Sequence, residues 1–476
     1  MRSLVIGVLV LSSLVSLAPR ASAAPAAGDK PTPAKPDDAK DDKAAEVVAP
    51  VPNSPKLTLE QVIDKAVNSP KAQMALSDLD GAAARVDEAD SARLPKGKLT
   101  AFGTISPEIR CDTPDCIQTN PKNFALRFSG FFGSAQLDIT QPLYTFGKIS
   151  HARAAARAGV DAQRALADEV AGDLAVDAAK AYWGLKAARE LSGMLDDGID
   201  EIAKAASDLE ERSGGKGKPD VSIQDRQRVA VLLSEAKIQR AEALQAEAEA
   251  LAGLRAITGV ANADLDDTEL AALDHAIPGH AVSERRPQAV AARTGAVAAD
   301  ELAEMAHSQF FPDLAIVASG VIARAQGADD PPSAFANDPY NRTGAGVVVG
   351  LQWQIEPWTT AAKAAKARAD ARKAHAQSEL AAIGARYDAD NALADAIAAH
   401  DKVTAAAEGE KAARTWLASV LQAEAIGTAE SKELADAYIA WFQMRARWAQ
   451  AVFQWNVAVV RLDRAAGEFH AGGHRP

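Results

Sequence analysis

The stretch that decides the fold is "RPQAVAARTGAVAADELAEMAHSQFFPDLAIVASG", Arg286 to Gly320. It reads as a helix of about 25 residues, a proline, and then an alternating β-like run. An earlier stretch, "SPKAQMALSDLDGAAARVDEADSARLPKGKLTAFG" (Ser69 to Gly103), has the same plan. Pro70 and Pro287 are 217 positions apart, and so are Pro95 and Pro312. An ungapped correspondence of that length marks a tandem duplication.

The correspondence extends outward. "LDITQPLYTFGKISHARAAARA" (Leu137 to Ala158) and "VGLQWQIEPWTTAAKAAKARAD" (Val349 to Asp370) each lead into a long Ala-rich helix, now 212 positions apart. The change of offset puts a length difference in the loop between. Two halves result, about 57–270 and 271–468. Each starts with a helix (about 59–94 and 284–308), followed by a strand (about 97–109 and 312–325). A polar loop follows (110–123 and 326–342), and then a second strand (about 124–141 and 343–356). In "GAGVVVGLQWQIE", Val347, Val349, Leu351, Trp353 and Ile355 fall on one side. Thr58 and Gln61 fit a capping box that opens the first helix, with Val62, Ile63, Ala66 and Val67 at helical spacing.

After the strands come the helices. Ile149 to Arg212 holds no proline, a span of roughly 95 Å as a helix. "SGGKGKPD" interrupts it, and a second helix runs to about Thr258. The second half repeats this as Thr359 to Ile426 and Thr428 to about Gly467, with turns at Gly217 and Gly427. Helices far longer than the globular mean must pack side by side as coiled-coil-like hairpins. Trp441, Trp448 and Trp455, at intervals of seven, form a packing seam with Val452, Val459 and Leu462 rather than a stacking site for ligand.

The ends read differently. "MRSLVIGVLVLSSLVSLAPRASA" has one early Arg, a short apolar run and an Ala-Ser-Ala exit, the pattern of a secretory signal peptide over 1–23. Residues 24–56, rich in Pro, Ala, Lys and Asp, read as a disordered linker, and 469–476 as a disordered tail. The net charge of −12 speaks against nucleic acid as a partner. The only two cysteines, Cys111 and Cys116, stand close together in an exported chain, which favours a small loop disulfide; a redox or metal role needs further ligands that are not nearby. The eight histidines are scattered with no zinc-helix spacing, and there is no nucleophile elbow or P-loop order. No cofactor or metal is expected, and an enzyme reading has little support.

The order of these pieces resembles the outer-membrane efflux protein family, the TolC-like exit ducts of Gram-negative bacteria. The resemblance spans about 57–468 and rests on "LTLEQVIDKAVNSP", "QPLYTFGKISHARAA", "RRPQAVAA…HSQFFPDLAI" and "GTAESKELADAYIAW…NVAVVRLDRAAG". "QIEPWTTAAKA" departs from the pattern, lacking the Pro-aromatic-x-Gly character of Gln141 to Gly147, and the first-half turn is the longer of the two. The resemblance implies a mainly α fold with a membrane β-barrel. Three chains would pool four strands each into twelve, and the helical hairpins would continue as a periplasmic α-barrel. Four strands alone cannot close a barrel, and open edges are forbidden in lipid, so the implied homotrimer has a physical reason.

The implied function is an outer-membrane channel of a tripartite efflux pump or type I secretion system, a passive conduit with a periplasmic gate. It would work with a periplasmic adaptor protein and an inner-membrane pump. The rivals are a periplasmic coiled-coil scaffold without a barrel, an exported enzyme, and a secondary role as a phage or toxin receptor through the polar loops. In the family the hairpin turn lies at the gate, followed by acids at set spacing. Gly427, Glu433 and Asp436 match that spacing, and Asp225 stands at the related place in the first half. Those acids would face the pore as carboxylate rings that favour cations; alternatively they simply sit at a helix start. Glu430 suits the helix start, with Glu433 and Asp436 deeper in the helix.

Overall fold

A computed structural model describes residues 55–108, 128–213, 223–328, 340–426, 428 and 431–471. The expected signal peptide, nearly all of the linker, the Cys111–Cys116 loop, and the turn glycines Gly217 and Gly427 lie outside these residues. The described chain forms two compact units.

One unit gathers residues 70–173, 278–392 and 463–476. Its centre is a four-stranded antiparallel sheet of β2 (Lys96–Pro107), β3 (Phe128–Tyr144), β5 (Asp313–Ala325) and β6 (Arg342–Gln352), in the order β2-β3-β5-β6. The duplication shows in the ladder itself. Lys96 faces Thr140 and Asp313 faces Gln352. A shift of 217 on the first strand of each hairpin therefore goes with a shift of 212 on the second, the two offsets read in the sequence. Helices α2 (Pro70–Ser91) and α5 (Pro287–Ser308) precede the hairpins, 22 residues each, and both start at a proline, where the missing N–H costs nothing.

Three boundaries differ from expectation. The first helix is two helices, α1 (Leu59–Val67) and α2. Asn68 ends α1, its Nδ2 donating to the Asp64 carbonyl at 2.8 Å, and Pro70 restarts the chain. Strand β3 runs past residue 141 to Tyr144, absorbing Pro142 at an irregularity in its ladder with β5. Strand β6 stops at Gln352, so Trp353 and Ile355 lie beyond it, before Pro357 opens the next helix.

The other unit holds residues up to 69, 174–277 and 393–462. Parallel strands β1 (Lys56–Leu57) and β4 (Asp264–Leu265) tie its start to the segment between the halves. The Thr58–Gln61 capping box is present, and Val62, Ala66 and Val67 are buried. The rest is made from α3 (Lys148–Ser213), α4 (Ile223–Thr258), α6 (Pro357–Ala425) and α7 (Ser431–Ala466), of which α3, α6 and α7 contribute to both units. Here α3 pairs with α4 through Arg189–Glu247 and with α7 through Arg445–Glu190, at 3.0 Å each. Helix α7 also meets α6, where Arg445 approaches Glu410 at 3.5 Å. The lateral order is α4-α3-α7-α6. Gly198 of α3 lies under the Phe442 ring, a place that any side chain would fill.

The tryptophan seam is real. Trp455 is 3% exposed, with Val452, Val459 and Leu462 buried beside it. Its indole N–H donates to the Leu273 carbonyl at 2.9 Å, and the wholly buried Asn456 brackets the same segment through Leu273 N–H and the Ala271 carbonyl. These bonds lay the strap between the halves along α7.

Candidate functional site

The sheet has two chemically opposite faces. Residues paired across a ladder share a face. One face carries the rows Gly97–Ile139–Ala318–Val347, Leu99–Leu137–Gly320–Ala345 and Ala101–Ala135–Ile322–Thr343. It is apolar and open: Leu99 and Val347 are each 70% exposed. The opposite face carries Lys98 across from Asp138, Thr100 across from Gln136, and Ser319, with Gln136 donating to Asp138 at 2.9 Å. A soluble sheet hides its apolar face; this one displays it. Strands of 11 to 17 residues reach the length a tilted membrane strand needs. Neither β2 nor β6 has a second neighbour among the described residues. No described helix is long and apolar enough to cross a membrane.

One end of the polar face is closed over. Phe132 meets Phe102 and Tyr340 edge-to-face at 5.8 and 5.7 Å. At the same end of the sheet, beyond the ladder, Asn341 accepts from Ala325 N–H and donates to the Ala328 carbonyl, and Ser106 accepts from Gly327 N–H. At the opposite end, where the strands pass into helices, Tyr144 meets Phe146 edge-to-face and Phe146 stacks on Phe311, all three remaining exposed. Phe146 and Gly147 there take positive φ, and Lys148 pairs with Asp313 at 2.8 Å.

The second part of the site is the free end of the four long helices. Met194, Leu195 and Ile202 of α3, Val229 and Ala236 of α4, Leu417 and Val420 of α6, and Leu434, Tyr438 and Phe442 of α7 form one apolar cluster there. Burial pushes the Tyr438 hydroxyl up to about 12, with the carboxylates of Glu201 and Glu424 adding to the shift. Glu433 and Asp436 both lie exposed on α7, on the side away from the buried Leu434 and Tyr438.

Among the described residues α7 runs from Ser431, and Thr428 stands outside it. Thr428 belongs to the end of α6: its N–H and its hydroxyl both donate to the Ala423 carbonyl, at 2.9 and 3.0 Å. Glu433 therefore stands in the first turn of α7, where the helix dipole favours an acid. Asp436 sits a turn further on. Glu430 lies outside the described residues. Helices α4 and α7 end at Thr258 and Ala466, each followed by a glycine of positive φ, Gly259 and Gly467. That shift of 208 carries Asp225 onto Glu433, and Arg228 onto Asp436. The two helices share an acid at the first of these positions and differ in charge at the second, which sequence reading missed. Gly259 and Gly467 are the signal in the sequence that aligns them.

Among the described residues no group of three or more His, Cys, Asp or Glu could hold a metal ion. The long helices instead carry ion pairs. Arg464 joins Glu169 and Asp173 at 2.6 Å each, and the buried Arg286 reaches Asp388 at 2.8 Å. In the other unit Lys186 meets Asp266 at 2.8 Å; the Asp266 carboxyl, although burial works against it, is held low by Lys186 and Tyr182.

Comparison with known proteins matches this architecture. The family model described as "Outer membrane efflux protein" matches residues 64–260 and 280–468. Among solved structures, the CmeC outer membrane channel of Campylobacter jejuni is similar at a TM-score of 0.71 and 15% identity, over 87% of this chain and 86% of that one. The open-state MtrE outer membrane channel of Neisseria gonorrhoeae gives 0.71 and 18%, over 86% and 88%. The outer membrane protein VceC of Vibrio cholerae gives 0.68 and 16%, over 86% and 96%. No curated protein matches in sequence. At these identities the structures testify to fold alone, while the family match covers most of the chain. With its duplicated strand-and-helix halves and its exposed apolar sheet, the chain belongs to the outer membrane efflux protein family, as an outer-membrane exit duct that extends into the periplasm.

Proposed function

We propose that three copies of this chain close one twelve-stranded barrel, with the apolar sheet face against lipid and the polar face around a water-filled bore. The observation that carries this is the four-stranded sheet with one exposed apolar face and two unpaired edges. In hydrocarbon an unpaired edge costs several kcal/mol per group, and β6 of one copy next to β2 of the next removes both edges. The aromatic residues Tyr144, Phe146 and Phe311 then lie at the membrane–water boundary, as barrel girdles do. Residues 1–23 would direct export and be removed, with 24–56 left as a tether.

The long helices continue the conduit into the periplasm. Their free end takes the role of a gate, where Asp436 and Glu433, with Asp225 from the first half, present rings of carboxylates to the bore. A ring of acids selects for cations and repels itself. A periplasmic adaptor and an inner-membrane pump would dock at that end and supply the energy; the duct itself performs no chemistry. The polar loops could be tested separately for phage or toxin binding. Single-channel recording in planar bilayers tests the gate. Replacing Glu433 and Asp436 together by Ala should lower cation selectivity and change conductance. Identical selectivity and conductance in the double variant would remove the acids from the bore.

A further inference from the structure

The apolar face of the sheet carries one charge. Followed row by row, every paired position on β2, β3, β5 and β6 on that side is apolar, aromatic, glycine, threonine or glutamine, except Arg324. It stands at the loop end of β5, across from Gly133. In the barrel orientation this end faces the cell exterior, because the opposite end of the sheet continues into the periplasmic helices.

The surroundings of Arg324 are specific. The Phe131 ring lies across Gly103 and Gly133, occupying the space where their side chains would be. Arg324 Nη1 donates to the Ala323 carbonyl at 2.9 Å and Nη2 to Thr343 Oγ1 at 3.1 Å. A guanidinium has five N–H donors, so three remain on a head group that is already held in place. No carboxylate among the described residues pairs with it. The head group borders a recess of about 570 Å³ lined by Phe131, Gly133, Gln326 and Asn341. The Gln326 amide oxygen accepts from Phe131 N–H at 3.2 Å, which leaves its NH₂ group as a further donor.

We infer that this recess binds the phosphate of an outer-leaflet glycolipid, with Arg324 as the anion ligand and Phe131 as the apolar floor for the first acyl carbons. The inference rests on the lipid-facing assignment of the sheet proposed above. A cation kept on a lipid-facing surface wants an anion at the same depth. A fixed guanidinium matches phosphate oxygens in pairs. A free phosphate in water would have no use for the apolar floor.

Native mass spectrometry of the full-length protein in mild detergent tests this, with bis-phosphorylated lipid A, its dephosphorylated form, and inorganic phosphate as probes. The wild type should retain the phosphorylated lipid. Arg324→Gln should weaken retention about tenfold, the loss expected for a charged hydrogen bond, and Arg324→Lys should fall between. Heat-modifiable migration shows that each variant still forms its barrel. Equal retention by Arg324→Gln overturns the site, as does equal retention of the dephosphorylated lipid. Displacement of the lipid by inorganic phosphate at similar concentration would also overturn it, leaving a bare anion site. If the wild type does not fractionate with outer membranes, the lipid-facing assignment fails first, before any lipid is added.

Discussion

Helices α4 and α7 hold equivalent places in the two halves, ending at Thr258 and Ala466, yet the chain treats them oppositely. Helix α7 buries Leu434, Ala437, Tyr438, Phe442, Val452, Trp455 and Val459, whereas α4 buries little beyond Val229, Ala236, Leu254 and Thr258. The same inversion holds for the other pair. From Ala171 to Leu195 α3 is largely covered, whereas α6 buries little more than a narrow stripe of alanines from Ala364 to Ala413, with Leu417 and Val420 at its end. In the row α4-α3-α7-α6 the inner members come from different halves, and the flanks are left for neighbours. Exposed Val231 and Ile238 on α4, and Ile397 and Trp416 on α6, are what such flanks would offer to adjacent copies in the proposed trimer. Duplication thus supplied two similar hairpins, and lateral position decided which helix of each became core.

The contrast is sharpest at positions that the 208 shift makes equivalent. Trp455 maps onto Glu247. Trp455→Ala should destabilise the helical unit by about 3–5 kcal/mol, read by chemical unfolding of the helices. Glu247→Ala should cost about 1 kcal/mol or less, since Arg189 keeps Asp264 at 2.6 Å. Equal costs would break the inner-versus-flank distinction. The next test lies within α3 alone. Gly198 faces the Phe442 ring and Gly193 faces open space. Gly198→Val should cost about 1–3 kcal/mol through overpacking. Gly193→Ala should gain about 0.5–1 kcal/mol from helix propensity.

The smallest effect concerns pH. The Tyr438 hydroxyl, raised to about 12 in the folded state from 10.0, stays neutral there while the unfolded chain ionises. Stability is then fully present below pH 10.0 and declines as pH rises toward about 12, by about 1 kcal/mol after screening. Tyr438→Phe should flatten that part of the profile, and an unchanged slope would place the titration elsewhere.

Much of this architecture is legible in the sequence because it depends on local chemistry. Pro70 and Pro287 start helices wherever they fall, Thr58 and Gln61 cap each other, and alternation in Val347, Val349 and Leu351 gives the face of β6. The burial contrast is not legible. Alanine-rich helices have similar periodicity whether one side or two are covered, so α6 and α3 read alike until their neighbours are known. The role of Thr428 is not legible for a related reason. Thr428 has the chemistry of an N-cap, yet its hydroxyl turns back to the Ala423 carbonyl, a choice set by the three-dimensional turn. The charge difference between Asp436 and Arg228 emerges only when the two helices are aligned from Gly259 and Gly467.

The open sheet has two dissimilar edges, β2 from the first half and β6 from the second. A ring built from such edges is head-to-tail, so each copy makes one joint with each side. A copy damaged on β2 still offers a sound β6. It can enter a ring that it cannot complete, and it takes intact copies with it. Lesions on either edge should therefore behave as genetically dominant, whereas lesions in the helical core, which remove the copy before assembly, should be recessive.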